Sequence, residues 1–294
     1  MNIQWYPGHM TKAKRAMKED MKLIDLVIEL VDARVPLSSR NPDIDDLGAG
    51  KARMVLLNKS DLADERQNAR WAAWFEDKGI HVVKVDARNK GTLKQVQSVI
   101  QEACKEKIER DRRRGILNRP IRTMVVGIPN VGKSTFINSF AGKACAKTGN
   151  KPGVTKGNQW IRLNKTLELL DTPGILWPRF EDQQVGLKLA LIGSINDQIL
   201  NKDELACELI RFLKKRYPQV PQLLRFYLQK HPVHQCFSEK LYMMLNQLMD
   251  YHLQMPLPIQ DPLRSNLPGI PSKLPLLMCI CIFQHAYQLL LLHQ

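Results

Sequence analysis

GIPNVGKS, residues 127–134, decides the fold. It fits the pattern GxxxxGK[ST] and stands between an apolar run, TMVV, and a helical pattern, STFINSFA. That strand, loop and helix order is the setting a phosphate-binding loop requires. Gly127 and Gly132 let backbone N–H groups wrap phosphates, Lys133 is placed to reach β and γ oxygens, and Ser134 offers a hydroxyl to Mg²⁺. Together with Asn130, Val131 and Thr135 these residues make up the expected phosphate subsite.

The strand that feeds this loop has counterparts along the chain. DLVIELVDARVP is a continuous apolar run ending in a turn, the signature of a fully buried parallel strand. Short strands follow at RMVLLNKSD, HVVKVDA, IRTMVVGIPN and LELLDTPG, separated by helical patterns such as ADERQNARWAAWFEDKG and TLKQVQSVIQEACKEKIERDRRRG. This alternation predicts an α/β domain, a mostly parallel sheet with helices on both faces. QWIRLNKTLELLD departs from it: two runs joined at Asn164 and Lys165 predict a hairpin with one antiparallel strand at an edge. At the start, residues 11–24 read as an amphipathic helix with Met17, Met21 and Ile24 on one face.

Two further motifs end strands. NKSD, residues 58–61, comprises Asn58, Lys59, Ser60 and Asp61, and it chooses the base: guanine's ring N–H and exocyclic amine can both donate to Asp61, whereas adenine would leave that carboxylate unpaired. Alone, NKSD reads equally as a polar turn; beside the phosphate loop it reads as a guanine site. DTPG, residues 171–174, supplies Asp171 to hold Mg²⁺ through water and the Gly174 N–H to meet a γ-phosphate. Thr155 in KPGVTKG is the candidate second hydroxyl for Mg²⁺.

Composition narrows the partners. Forty-four Lys and Arg against 29 Asp and Glu give a net charge of +15, which suits a polyanion. The basic run KEKIERDRRRGILNRPIR reads equally as a solvated helix end or a phosphate contact. Six cysteines form no CxxC pair and no zinc spacing, which suggests reduced thiols in a cytosol, so the expected location is cytoplasmic. The first motif begins at Trp5, which argues against a secretory leader. The apolar stretch LPLLMCICIFQHAYQLLLLHQ is interrupted by Gln284, His285 and Gln288, so no membrane span is expected.

The order of the motifs is unusual. Ras-like enzymes place the phosphate loop first and NKxD last; here NKSD precedes GIPNVGKS, as if the chain had been cut elsewhere and its old ends joined through residues 105–122. WYPGHM, DARVPLSSRNP (32–42), NKSD, GIPNVGKS, KPGVT and DTPGILWPRFED (171–182) together resemble the circularly permuted GTPases, and within them the ribosome biogenesis GTPase A type. The resemblance spans residues 1 to about 217. It implies a circularly permuted Ras-like P-loop GTPase domain with a C-terminal helical region, Mg²⁺ as cofactor, GTP and GDP as ligands, and the large ribosomal subunit precursor and its rRNA as partners of a monomer. Members with Asn at this position often use K⁺, so Asn130 is the candidate K⁺ ligand; it reads equally as a residue that only caps the loop. The motif after the third strand, Ser-Ala-Lys-like in the family, matches loosely as Asp86, Ala87 and Arg88, whose backbone amides are expected to hold the guanine oxygen.

The expected organisation is an N-terminal arm and helix (1–25), the permuted GTPase domain (26–178), the start of a helical C-terminal domain (179–219) and a tail (220–294). That tail does not resemble the family's; strong divergence or a lost reading frame would each produce this, and its composition favours the second. Ile175 follows DTPG, where Ras-like enzymes carry a water-orienting Gln. Either the protein is a non-catalytic GTP-dependent module, or another group orients the water. His9 of WYPGHM is the candidate, with Lys12, Lys14, Arg15 and Arg112 to Arg114 as RNA contacts.

Overall fold

The computed structural model describes residues 8–117, 119–146, 158–177, 180–201, 204–205, 207–209 and 211–212. A six-stranded sheet forms from β1 (Leu26–Asp32), β2 (Ala52–Asn58), β3 (His81–Val85), β4 (Ile121–Gly127), β5 (Gln159–Arg162) and β6 (Leu167–Asp171), in the order β3-β2-β1-β4-β6-β5. Five strands run parallel. β5 pairs antiparallel with β6 at the edge, as the hairpin pattern predicts. Asn164 shapes its turn by accepting from the Thr166 amide at 2.8 Å.

β1 is central and buried along its length, pairing with both β2 and β4. The strand order steps outward from β1 to β3 and then returns to β4 on the other side. With right-handed crossovers, the β2–β3 and β3–β4 connections must lie on opposite faces. The first is α3 (Glu65–Glu76), started by Asp64, whose side chain accepts from the Gln67 amide. Its Trp71, Ala72, Trp74 and Phe75 join Val31, Val55 and Leu57 in one apolar cluster. The second is α4 (Lys90–Ala103), which buries Leu93, Val96 and Ile100. It packs on β2 and β3 and also meets α6 (Lys133–Ala141), which covers β4 and β6.

The remaining helices depart somewhat from the sequence reading. α1 (Gly8–Asp20) starts three residues earlier than expected and continues as a 3₁₀ turn through Leu23; it buries Met10, Met17 and Met21. Its Lys14 pairs at 2.7 Å with Asp43, at the start of α2 (Asp43–Leu47). The single helix read across 92–115 breaks at Cys104, and α5 (Lys105–Arg113) follows, with Lys107 3.5 Å from Asp25. Beyond β6 lies α7 (Gln183–Leu191), whose N-cap Asp182 accepts from the Gln184 amide. A second unit begins at Asn201, and its described residues 204–205, 207–209 and 211–212 are helical. The tail from 220 lies outside the described residues. Among the described residues no helix is long and apolar enough to cross a membrane.

Candidate functional site

In a parallel sheet the loops that can share a ligand are those at the C-terminal ends of the strands, on either side of the point where the strand order reverses. Here those are the turn after β1 (DARVP), NKSD after β2, the Asp86–Ala87–Arg88 turn after β3, GIPNVGKS after β4 and DTPG after β6. The sequence motifs therefore converge on one edge because of the topology.

The phosphate loop is held by backbone geometry that excludes larger residues. At Gly127, with φ +154°, a Cβ would lie 2.7 Å from the Leu30 carbonyl oxygen of β1. Gly132 adopts φ +100° immediately before α6, and a Cβ there would stand 2.5 Å from Asn58 Nδ2. Lys133 is buried and donates to the Gly127 and Ile128 carbonyls at 3.2 and 3.4 Å. Burial pushes its ammonium down to about 8, against the pull of the Asp171 carboxylate. Ser134 and Thr135 stand half-buried in the first turn of α6.

Asp171 ends β6 beside this loop. It is buried, and its Oδ1 has no hydrogen-bond partner. Burial pushes the carboxyl up to about 6, with Lys133 and the Thr172 amide opposing. A buried carboxylate oxygen without a donor, near an ammonium and a serine-bearing helix start, is the environment a hard cation would satisfy, so these residues fit Mg²⁺. Thr172 clamps DTPG to β4 through a 2.8 Å bond to the Val125 carbonyl. Gly174 comes so near that a Cβ would lie 2.8 Å from Pro129 Cα and 3.0 Å from Lys133 Nζ.

NKSD is interlocked with the phosphate loop. Asn58 donates through Nδ2 to the Val131 carbonyl at 2.7 Å and accepts the Ala87 amide on Oδ1 at 3.0 Å. Lys59, with φ +59°, donates to the Asn130 carbonyl at 3.0 Å and pairs with Asp32 at 3.0 Å. Burial would raise the Asp32 carboxyl, but the two hydrogen bonds from Arg34 and the Lys59 ammonium outweigh it and hold it below the usual carboxylate range. Ser60 donates to the Val85 carbonyl at 3.1 Å. Asp61 lies exposed at the rim.

Other candidate residues have partners within the protein. All three amides of the Asp86–Arg88 turn have acceptors within the protein: Thr92 Oγ1 at 3.1 Å, Asn58 Oδ1 at 3.0 Å and Asp86 Oδ1 at 3.0 Å. The Asn130 side chain donates from Nδ2 to the Gly193 carbonyl at 2.6 Å, in the turn after α7. Lys14 is committed to Asp43, whereas Lys12, Arg15, Arg112, Arg113 and Arg114 are exposed. Thr155 and residues 5–7 lie outside the described residues, as does the side chain of His9, whose backbone is in the first turn of α1.

Sequence reasoning missed the work of 32–42. Ser39 accepts the Asp32 amide at 2.9 Å, Arg40 and Arg53 each reach the buried Glu29 at 3.2 Å, and Asn41 donates to the Ile175 carbonyl at 3.4 Å. Burial pushes the Glu29 carboxyl up even so. The available signal was positional: DARVP follows the central strand, so its loop must border both NKSD and GIPNVGKS.

This fold and site define a circularly permuted P-loop GTPase. Residues 122–232 match the family described as 50S ribosome-binding GTPase. Ribosome biogenesis GTPase A of Bacillus cereus is 53% identical over 219 residues, covering 74% of each chain. Mitochondrial ribosome-associated GTPase 1 of Mus musculus is 36% identical over 224 residues, covering 72% of this chain and 67% of that one. The crystal structure of GNP-bound YlqF from T. maritima superposes with a TM-score of 0.54 at 24% identity, covering 81% of this chain and 94% of that one, and it shares the fold. The chain belongs to the ribosome biogenesis GTPase A family.

Proposed function

We propose that this GTPase is an Mg²⁺-dependent assembly factor of the large ribosomal subunit, which docks on rRNA in the cytosol with GTP bound and leaves after hydrolysis. The observation that carries the chemistry is the buried pair of Lys133 and Asp171 beside Gly174, with an Asp171 oxygen lacking any donor. In this reading Lys133 moves from the Gly127 and Ile128 carbonyls to the β and γ oxygens, and the amides of 130–135 cradle the phosphates. Ser134 and Asp171, the latter through water, hold Mg²⁺ with Thr155. When bound, the ion neutralises charge on the β and γ oxygens. Asp61 accepts both guanine donors, while Asn58 and Lys59 hold the two loops at the right separation. The Asp86–Arg88 turn borders the base, and Asn130 offers its side-chain oxygen to K⁺.

Hydrolysis requires a water to attack the γ-phosphorus as the bond to the bridging oxygen breaks and GDP departs. Ile175 is buried and apolar, so it cannot orient that water. We assign that role to His9, whose imidazole is able to take the proton near neutral pH. Ribosome docking is supported by the family and by the exposed charges of Lys12, Arg15 and Arg112 to Arg114. The test is GTP turnover with and without large subunits, together with co-sedimentation across a salt series. Stimulated turnover and binding that weakens steeply with salt are expected, as release of counterions demands. Unstimulated turnover with salt-insensitive binding would remove the assembly reading and favour a non-catalytic GTP-dependent module.

A further inference from the structure

A side-chain contact joins NKSD to the turn after β3. Arg88 donates from Nη2 to Asp61 Oδ2 at 2.9 Å. The same guanidinium is braced from its own turn, with Nε donating to Asp86 Oδ1 at 3.1 Å and Nη2 to Asp86 Oδ2 at 3.3 Å. Asp86 Oδ1 also accepts the Arg88 amide at 3.0 Å, so the backbone under this arginine is held in place. The Asp86 and Ala87 amides are tied to Thr92 and Asn58. The side chain itself is 68% exposed, and that of Asp61 is 36% exposed, which leaves the guanidinium room to swing away.

A guanidinium presents planar N–H donors to a carboxylate, and so does the edge of guanine. Arg88 already holds one of the two Asp61 oxygens that guanine would use. We propose that Arg88 is a specificity-determining residue that competes with guanine for Asp61. Entry of the base displaces the guanidinium from Asp61 Oδ2 and leaves it on Asp86, within the same turn. Asp61 is thereby occupied until a ligand with two suitably spaced donors replaces the arginine. This inference rests on the reading of NKSD as the guanine site.

Because the pair is exposed, the competition is mild. Removing it should tighten GDP binding about two- to fivefold, the scale of an exposed ion pair. The experiment measures GDP and XDP affinities, and association rates of a fluorescent GDP, for the full chain and for Arg88→Ala, Arg88→Lys, Asp61→Asn and the Asp61→Asn/Arg88→Ala pair. Arg88→Ala is expected to tighten GDP, with Arg88→Lys intermediate because it keeps a charge but loses the fork. The gain should vanish in about 1 M salt, where exposed charges are screened within about 3 Å. In the Asp61→Asn background, which should prefer XDP, Arg88→Ala should tighten nothing. Unchanged or weaker GDP binding by Arg88→Ala overturns the competition, since Arg88 would then be idle or would help to hold the base. If Asp61→Asn fails to move preference toward XDP, the guanine-site reading falls and the competition falls with it. If the preference moves but Arg88→Ala does not tighten GDP, the competition alone is lost.

Discussion

Replacing Asn58 with alanine should destabilise the fold by about 2–4 kcal/mol, from two buried groups that each cost about 1–3 kcal/mol when left unpaired, less some recovery on relaxation. The groups are the Val131 carbonyl and the Ala87 amide, which Asn58 satisfies at 2.7 and 3.0 Å. All three residues are buried, so water does not readily take the place of the lost side chain. For a domain of this size each kcal/mol lowers Tm by about 2–4 °C, which gives a fall of about 4–16 °C. Gly132 provides the internal control. A Cβ there would press on Asn58 Nδ2 from 2.5 Å, and φ is +100°. Gly132→Ala therefore carries a backbone penalty of about 1–3 kcal/mol and also pushes the Asn58 amide off its partners. Both substitutions break the same hydrogen bonds, so the double variant should cost less than the sum of the singles, with a coupling of about 0.5–3 kcal/mol. Guanidinium unfolding of the four proteins at one fixed nucleotide and Mg²⁺ concentration measures it. Effects that add to within about 0.3 kcal/mol, or an Asn58→Ala cost under about 0.5 kcal/mol, would show that Asn58 does not bridge the two loops.

Three more outcomes are expected. The Asp171 carboxyl, pushed up to about 6, holds a cation only when ionised, so Mg²⁺ binding to the GTP complex should be strong above that pH and fall as pH drops through it; a Mg²⁺ titration from pH 5 to 8 that is flat for the parent would contradict the assignment, and Asp171→Asn should be weak throughout. Gly174→Ala presses a methyl on the Pro129 backbone at 2.8 Å, which cannot yield as a side chain would, and should weaken GTP more than GDP; overpacking of about 1–3 kcal/mol corresponds to about 5- to 150-fold in affinity, read by competition binding. His9→Ala should keep GTP affinity while ribosome-stimulated turnover falls about 10²-fold, the scale of a positioned acid or base; equal stimulated turnover would move the search to Thr155 or to a ribosomal group.

The parts legible in the sequence are those that one chain segment dictates by itself. GIPNVGKS needs φ +100° at Gly132 and a lysine opening the helix, and both needs leave a local trace. The buried runs of β1, β2 and β4 announce strands covered on both faces, and their alternation with helices gives the parallel sheet. What could not be read depends on which loops become neighbours. Lys59 has two partners, Asp32 from β1 and Asn130 from the phosphate loop, and no spacing in NKSD predicts either. The amide of Ala87, a candidate for the guanine oxygen, donates to Asn58, because the turn after β3 abuts the end of β2. The break at Cys104 was hidden by an uninterrupted helical pattern. Beyond the break Lys107 meets a partner distant in sequence, Asp25, just before β1.

That contact also shows how a permuted chain keeps a working nucleotide edge. The loops that meet the nucleotide hang from the C-terminal ends of the strands, so cutting the chain elsewhere and rejoining it at the N-terminal ends leaves them untouched. The new join crosses the far edge, where Asp25 gathers Lys107 at 3.5 Å, Arg119 at 3.9 Å and the Arg122 amide at 3.0 Å. Asp25 and Asp32 flank the same strand, and Asp32 grips Lys59, which grips the phosphate loop. A series of contacts thus runs from the basic join to the phosphate loop. Its middle is β1, buried over all seven residues and paired on both sides. The groups proposed to meet a γ-phosphate stand at the opposite edge, in Gly174 against Pro129, beside the Ile175 carbonyl that Asn41 holds.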